Sequence, residues 1–161
     1  MELITLAQSV GGALQQRGLM LATAESCTGG WVAQVMTALP GSSRWFERGF
    51  VTYSNASKCE MLGVSAVTLA QHGAVSEAVV EQMVLGALRH SRAQVALAIS
   101  GIAGPEGGSL EKPVGTLCLA WGVKDGAVIT RRVQQPGGRE AVRQVAVQLA
   151  LEGVLALLQD G

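Results

Sequence analysis

Two periods alternate along the first two-thirds of the chain, and that alternation most restricts what it can fold into. Leu6, Val10 and Leu14 recur at helical spacing, which predicts a helix over about residues 2–17, ended by Gly18. Leu19 to Ala24 follows as a short, unbroken apolar run, read as a strand buried on both faces. Gly30 to Leu39 returns to a helix, stopped by Pro40-Gly41, and Arg48 to Tyr53 reads as a second strand because Phe50, Val51 and Tyr53 favour it. Asn55 is expected to cap a short helix that carries Lys58 and ends at Gly63, with a further helical turn from Val67 to Gln71. Ser76 reads as the N-cap of a helix with Val79, Val80, Met83, Val84, Ala87 and Leu88 along one face. Gln94 to Ser100 is a continuous apolar run, expected as a central strand, and Gly101 to Pro113 is a loop rich in glycine and proline.

The pattern then changes. Gly115–Val123 and Ala127–Val133 flank Lys124-Asp125-Gly126, a hairpin signal, and a long helix begins near Gly138 with Val142, Val145, Ala146, Leu149, Leu155 and Leu158. Strands that are apolar on both faces need cover on both. The expected fold is therefore α/β: one three-layer domain over residues 1–161, with a mixed, partly parallel sheet flanked by helices and antiparallel at the hairpin.

Composition narrows the classes of function. An apolar share of 48% with 15% charged residues argues against disorder, and 12 basic against 12 acidic residues leave no basic stripe for nucleic acid or an anionic membrane. So apolar a chain with so little charge is expected to hide surface in a homo-oligomer, a dimer or higher. Three cysteines, Cys27, Cys59 and Cys118, without C-x-x-C spacing suit a reducing cytoplasm and carry no metal signature. The first residues, Met-Glu-Leu-Ile-Thr-Leu, resemble neither a signal peptide nor a membrane anchor.

The polar residues that could carry chemistry share a placement at strand ends. Ser26 follows the first strand, Tyr53 and Asn55 the second, Ser100 ends the third, and Arg139 follows the last. In open α/β sheets ligands bind outside the carboxyl ends of strands, where helix N-termini point their positive ends. Ala24-Glu25-Ser26-Cys27-Thr28-Gly29-Gly30-Trp31 sets three small nucleophile-capable side chains at such an end, beside N–H groups of Thr28, Gly29 and Gly30 that could hold an anion. Ser26 also reads as an ordinary helix cap, and Cys27 and Thr28 compete with it as nucleophiles. Neither His72 nor His90 lies in a passage built to pair with them. Lys58, in the first turn of a helix whose dipole disfavours an ammonium, is the candidate base, against its reading as a solvated surface lysine. Ser100-Gly101 could orient that lysine or add to an oxyanion hole, and Arg139 at a helix start is misplaced unless an anion such as phosphate joins it. Neither glycine-rich segment fits a Walker or dinucleotide fingerprint.

Taken together, Ala24-Glu25-Ser26-Cys27-Thr28-Gly29-Gly30, Pro40-Gly41-Ser42-Ser43, Tyr53-Ser54-Asn55 with Lys58, His72-Gly73-Ala74-Val75-Ser76, Gly101-Ile102-Ala103-Gly104-Pro105 and Lys112-Pro113-Val114-Gly115-Thr116 resemble the nicotinamide-nucleotide amidase family, itself similar to the C-terminal domain of the competence/damage-inducible protein CinA. The resemblance implies hydrolysis of the carboxamide of nicotinamide mononucleotide (NMN), a small-molecule substrate, to nicotinic acid mononucleotide and ammonia in pyridine-nucleotide recycling. It implies a Ser–Lys mechanism on Ser26 and Lys58, Tyr53, Ser100 and Arg139 as supporting positions, no cofactor and no metal, and the stand-alone form of the domain. Position 100 is Ser where Thr is frequent in such sequences, and Gln135-Pro136-Gly137-Gly138-Arg139 lacks the aromatic often found just upstream. The alternative is a nucleotide-binding or regulatory module with the same cradle and no turnover.

Overall fold

The computed structural model describes residues 2–159. The chain runs α1 (Leu3–Gln16), β1 (Leu21–Glu25), α2 (Trp31–Thr37), β2 (Phe46–Val51), α3 (Asn55–Leu62), α4 (Ala66–His72), α5 (Glu77–Arg89), β3 (Val95–Gly101), β4 (Thr116–Val123), β5 (Val128–Gln134) and α6 (Arg139–Gln159). The strands form one sheet in the order β2-β1-β3-β4-β5. β1 is parallel to both β2 and β3, whereas β3–β4 and β4–β5 are antiparallel, so the sheet is mixed and only β4 is reversed. Antiparallel pairing thus begins one strand before the hairpin. The segment between β3 and β4 holds no helix to make a parallel crossover, and it folds straight back instead.

The pleat sorts large from small side chains. Leu21, Val95, Leu97, Ile99, Leu117, Leu119 and Trp121 face α1, α2 and α6, while Ala22, Ala24, Ala96, Ala98, Cys118 and Ala120 face α5. The small residues let α5 lie close over the sheet through Val79, Val80, Met83, Val84 and Ala87. The opposite layer is thicker, with Leu6, Val10 and Leu14 of α1 and Val142, Ala146, Ala150, Leu151 and Val154 of α6 filling it. Helix α6 is long and apolar enough to cross a membrane by length and composition, but those residues are buried against the sheet and α1.

Two expectations need correction. The second strand starts and ends two residues earlier than its aromatic content suggests, because it is an edge strand whose half-exposed Phe46 and Glu47 carry a weaker apolar signal. The cap of α3 is Ser54, whose hydroxyl accepts from the Ser57 N–H at 3.1 Å, and Asn55 is the first helical residue. The N-cap expected at Ser76 is present, its hydroxyl accepting from the Val79 N–H at 3.2 Å.

Candidate active site

At the end of β1 the pleat sends two adjacent polar side chains to opposite faces. The Ser26 N–H donates to the Ile99 carbonyl at 3.1 Å, extending the β1–β3 ladder, and the Thr52 N–H donates to the Glu25 carbonyl at 2.8 Å on the β2 side. Ser26 therefore stands where the chain leaves β1 toward β2 and later returns on the far side as β3, the crevice at which such sheets bind ligands.

Glu25 turns toward α2. Its carboxylate is 1% exposed and accepts from the Thr28 hydroxyl at 2.7 Å, the Val32 N–H at 2.9 Å and the Ala33 N–H at 3.0 Å. A buried charge is tolerable only when so satisfied, and here it also meets the positive end of a helix. The capping role open to Ser26 from sequence thus belongs to Glu25, a residue that sequence reasoning passed over because an acid ending an apolar strand carries no capping pattern. Gly30 occupies the N-cap position with φ +101°, a conformation that side chains rarely adopt, so the turn from strand to helix can be this tight.

Lys58 reaches Ser26 from the other face. Helix α3 lies tight on α5 at Gly86, where an added Cβ would stand 2.0 Å from the Leu62 carbonyl oxygen. Lys58 is 1% exposed, and its Nζ lies 3.1 Å from Ser26 Oγ, 2.9 Å from the Thr52 carbonyl and 3.2 Å from the Tyr53 carbonyl. Burial pulls the Lys58 pKa below its ordinary value, with weaker opposing pulls from Cys27 and Cys59. All three contacts run from Nζ to oxygens, and once the amine is neutral its two N–H groups can stay on the carbonyls while its lone pair takes the place of the donation to Ser26 Oγ. The reading of Lys58 as a solvated surface group is overturned.

The rival nucleophiles are placed differently. Burial pushes the Cys27 thiol up to about 11, against the pull of nearby Arg143. The Thr28 hydroxyl is committed to Glu25. The histidines contribute backbone: Lys112 donates to the His72 carbonyl, and Arg48 donates to the His90 carbonyl at 2.9 Å.

A cavity of about 210 Å³ brings together Ser26, Lys58, Tyr53, Ser100, Gly101 and Arg139 with Cys27, Ala74, Val75 and Ala103. Thr28, Gly29, Gly30 and Asn55 do not line it; Asn55 is exposed at the start of α3. Tyr53, 63% exposed as a residue, holds Lys58 through its carbonyl, while its hydroxyl lies 3.5 Å from Arg139 Nη2 at the rim. Arg139 also donates to the Gly104 carbonyl at 2.9 Å. Ala74 and Val75 enter from the loop after α4, tied down by the Lys112 contact on His72.

The sequence profile of the CinA C-terminal domain matches residues 3–158. The chain belongs to that family. It is 59% identical to the nicotinamide-nucleotide amidohydrolase PncC of Escherichia coli K12 over 151 residues, which cover 94% of this chain and 92% of the relative. The protein of the same name from Pseudomonas putida is 54% identical over 154 residues, 95% of each. The crystal structure of a competence-damaged protein (CinA) superfamily protein from Klebsiella pneumoniae superposes with a TM-score of 0.96 at 41% identity, covering 100% of both chains.

In this CinA C-terminal domain, the N–H groups of Cys27, Thr28 and Gly30 meet no acceptor within the described residues, whereas the Gly29 N–H is taken by the Ser26 carbonyl at 3.0 Å. Gly29 is therefore not among the free donors that sequence reasoning grouped together. The Ser26 turn is also gripped from α6: Arg143 donates from Nε to the Cys27 carbonyl at 2.9 Å and from Nη2 to the Thr28 carbonyl at 3.3 Å. No pattern in the sequence distinguished Arg143 from a solvated helix arginine.

Proposed function

We propose that this chain hydrolyses the carboxamide of nicotinamide mononucleotide to nicotinic acid mononucleotide and ammonia through a Ser26 acyl-enzyme, with Lys58 as the base. The substrate reading is supported by the two amidohydrolases named above, which match nearly end to end. The mechanism is carried by one observation, the buried Lys58 Nζ at 3.1 Å from Ser26 Oγ. Neutral Lys58 accepts the Ser26 proton as Oγ bonds to the amide carbon. The oxyanion meets free N–H groups of the turn, among Cys27, Thr28 and Gly30. The C–N bond then breaks, Lys58 returns its proton to the departing nitrogen, and ammonia leaves. Water attacks the ester carbon, giving a proton to Lys58, and the proton passes to Oγ as the acid is released. Ser100, which lines the cavity, is the residue we assign to orienting the carboxamide. Arg139, at the first turn of α6, is the group we assign to the nucleotide phosphate.

The same reading takes residues 1–161 as a single domain acting as a homo-oligomer, which is supported by well-exposed Val67 and Leu110 on a chain with little charge. It places the chain in the cytoplasm, where the free thiols Cys27, Cys59 and Cys118 persist. The test is ammonia release from nicotinamide mononucleotide, compared with free nicotinamide, by wild type and Ser26→Ala. The variant is expected to lose on the order of 10³-fold or more in rate while still binding the nucleotide. Wild-type turnover by Ser26→Ala refutes the mechanism, and saturable binding by wild type without ammonia release refutes hydrolysis.

A further inference from the structure

Arg143 has no task in the proposed steps, yet it is half-buried on α6 and turned onto the backbone that follows Ser26. The ion pair among the described residues is Arg48–Glu47, so the Arg143 guanidinium is not held by a carboxylate. It donates to the Cys27 and Thr28 carbonyls, at 2.9 and 3.3 Å, and its Cζ lies over the Trp31 ring, 5.5 Å from the centroid. All three contacts fall on the turn that follows Ser26. A planar fork spanning two consecutive carbonyls is a geometry that lysine cannot copy.

Peptide planarity carries the consequence. Across a trans peptide the carbonyl and the following N–H point in opposite directions. Drawing the Cys27 carbonyl onto Arg143 therefore aims the Thr28 N–H, on the peptide it shares with cavity-lining Cys27, away from the guanidinium, and that N–H meets no acceptor among the described residues. Its neighbours differ: the Gly29 N–H is taken by Ser26, and those of Val32 and Ala33 by Glu25. A cation on the carbonyl also polarises its own peptide unit and strengthens the N–H as a donor. The same helix begins at Arg139, which lines the cavity one turn away, so the grip on the turn and one wall of the cavity share a rigid element.

We propose that Arg143 is the positioning residue of this site: it sets the peptide planes after Ser26 so that the free Thr28 N–H meets the oxyanion formed when Ser26 attacks the carboxamide. The inference rests on Ser26 being the nucleophile, and its test keeps the two apart. Arg143→Gln and Arg143→Lys are compared with wild type for kcat and KM on nicotinamide mononucleotide, for Kd of the product nucleotide, and for the pH dependence of kcat/KM.

Arg143→Gln is expected to lower kcat about 10- to 100-fold, with KM and product Kd changed by less than about threefold. Arg143→Lys keeps the charge but loses the fork and recovers only part of the rate. The ascending pH limb stays in place in both, because the base is Lys58. Wild-type kcat in both variants, a loss confined to KM, or full recovery by lysine overturns the inference. Should Arg143→Gln fail to fold by circular dichroism, the lysine variant decides. If wild type releases no ammonia, or Ser26→Ala retains full activity, the proposed function has failed; if both behave as expected and the Arg143 variants match wild type, this inference alone has.

Discussion

Replacing Lys58 by methionine removes the amine and keeps an unbranched side chain of similar length, which makes it a direct probe of whether that amine is neutral in the fold. In wild type the amine is 1% exposed, and burial has drawn its pKa below the ordinary 10.5. Between the lowered value and 10.5, the folded chain holds the amine neutral while the unfolded chain holds it charged. The unfolded state then binds more protons, so stability rises with pH across that window, by up to ~1.4 kcal/mol per pH unit. The contribution is complete above the unfolded pKa and is lost as pH falls through the folded one. Methionine titrates in neither state. The wild-type minus Lys58→Met unfolding free energy, measured by urea denaturation at a series of pH values, is therefore expected to climb through the window and to be flat below it. Methionine also strands the Thr52 and Tyr53 carbonyls, at about 1–3 kcal/mol for each one left unsatisfied, but that offset does not depend on pH and leaves the slope intact. Ammonia release falls by on the order of 10²- to 10⁴-fold or more with loss of the base. A stability difference that stays flat from neutral pH to 10.5 would refute the reasoning, because a lysine that remains an ammonium cannot take the Ser26 proton.

Glu25→Gln keeps the shape of the side chain but sets an amide NH₂ against a donor where the carboxylate accepted, at best the Ala33 N–H on Oε2. It should cost about 2–3 kcal/mol of stability and lower kcat, read from the urea midpoint and from turnover; an unchanged midpoint removes Glu25 as the anchor of the turn. Cys27→Ser should retain most of the activity, and iodoacetamide at neutral pH should inactivate wild type slowly, since burial holds the thiol up at about 11. Rapid inactivation, or a dead Cys27→Ser, would instead point to a thiol mechanism.

Much of this architecture was legible without coordinates because it is written in local periodicity. The apolar runs around Leu21–Glu25 and Val95–Gly101, the caps at Ser76 and Gly18, and the hairpin at Lys124-Asp125-Gly126 depend on neighbours a few residues apart. Placing Ser26, Ser100 and Arg139 at one edge follows from strand direction, which alternation with helices already constrains. The edge strand β2 lies two residues before the position its periodicity suggests, because one exposed side weakens the apolar pattern.

What sequence could not supply is every relation between residues brought together by the packing of separate elements. By itself the chain determined a mixed α/β fold, a serine-bearing turn after the first strand and a lysine on a short helix after the second. Only the tertiary structure decided that Lys58 is buried against Ser26, that Glu25 rather than Ser26 anchors the helix, and that Arg143 grips the turn from 116 and 115 residues away along the chain. The physical reason is the pleat and the pKa together. Adjacent residues at a strand end face opposite layers, so the partners of Glu25 and Ser26 depend on which helices cover each face. A lysine becomes a base only once those layers have taken its water away.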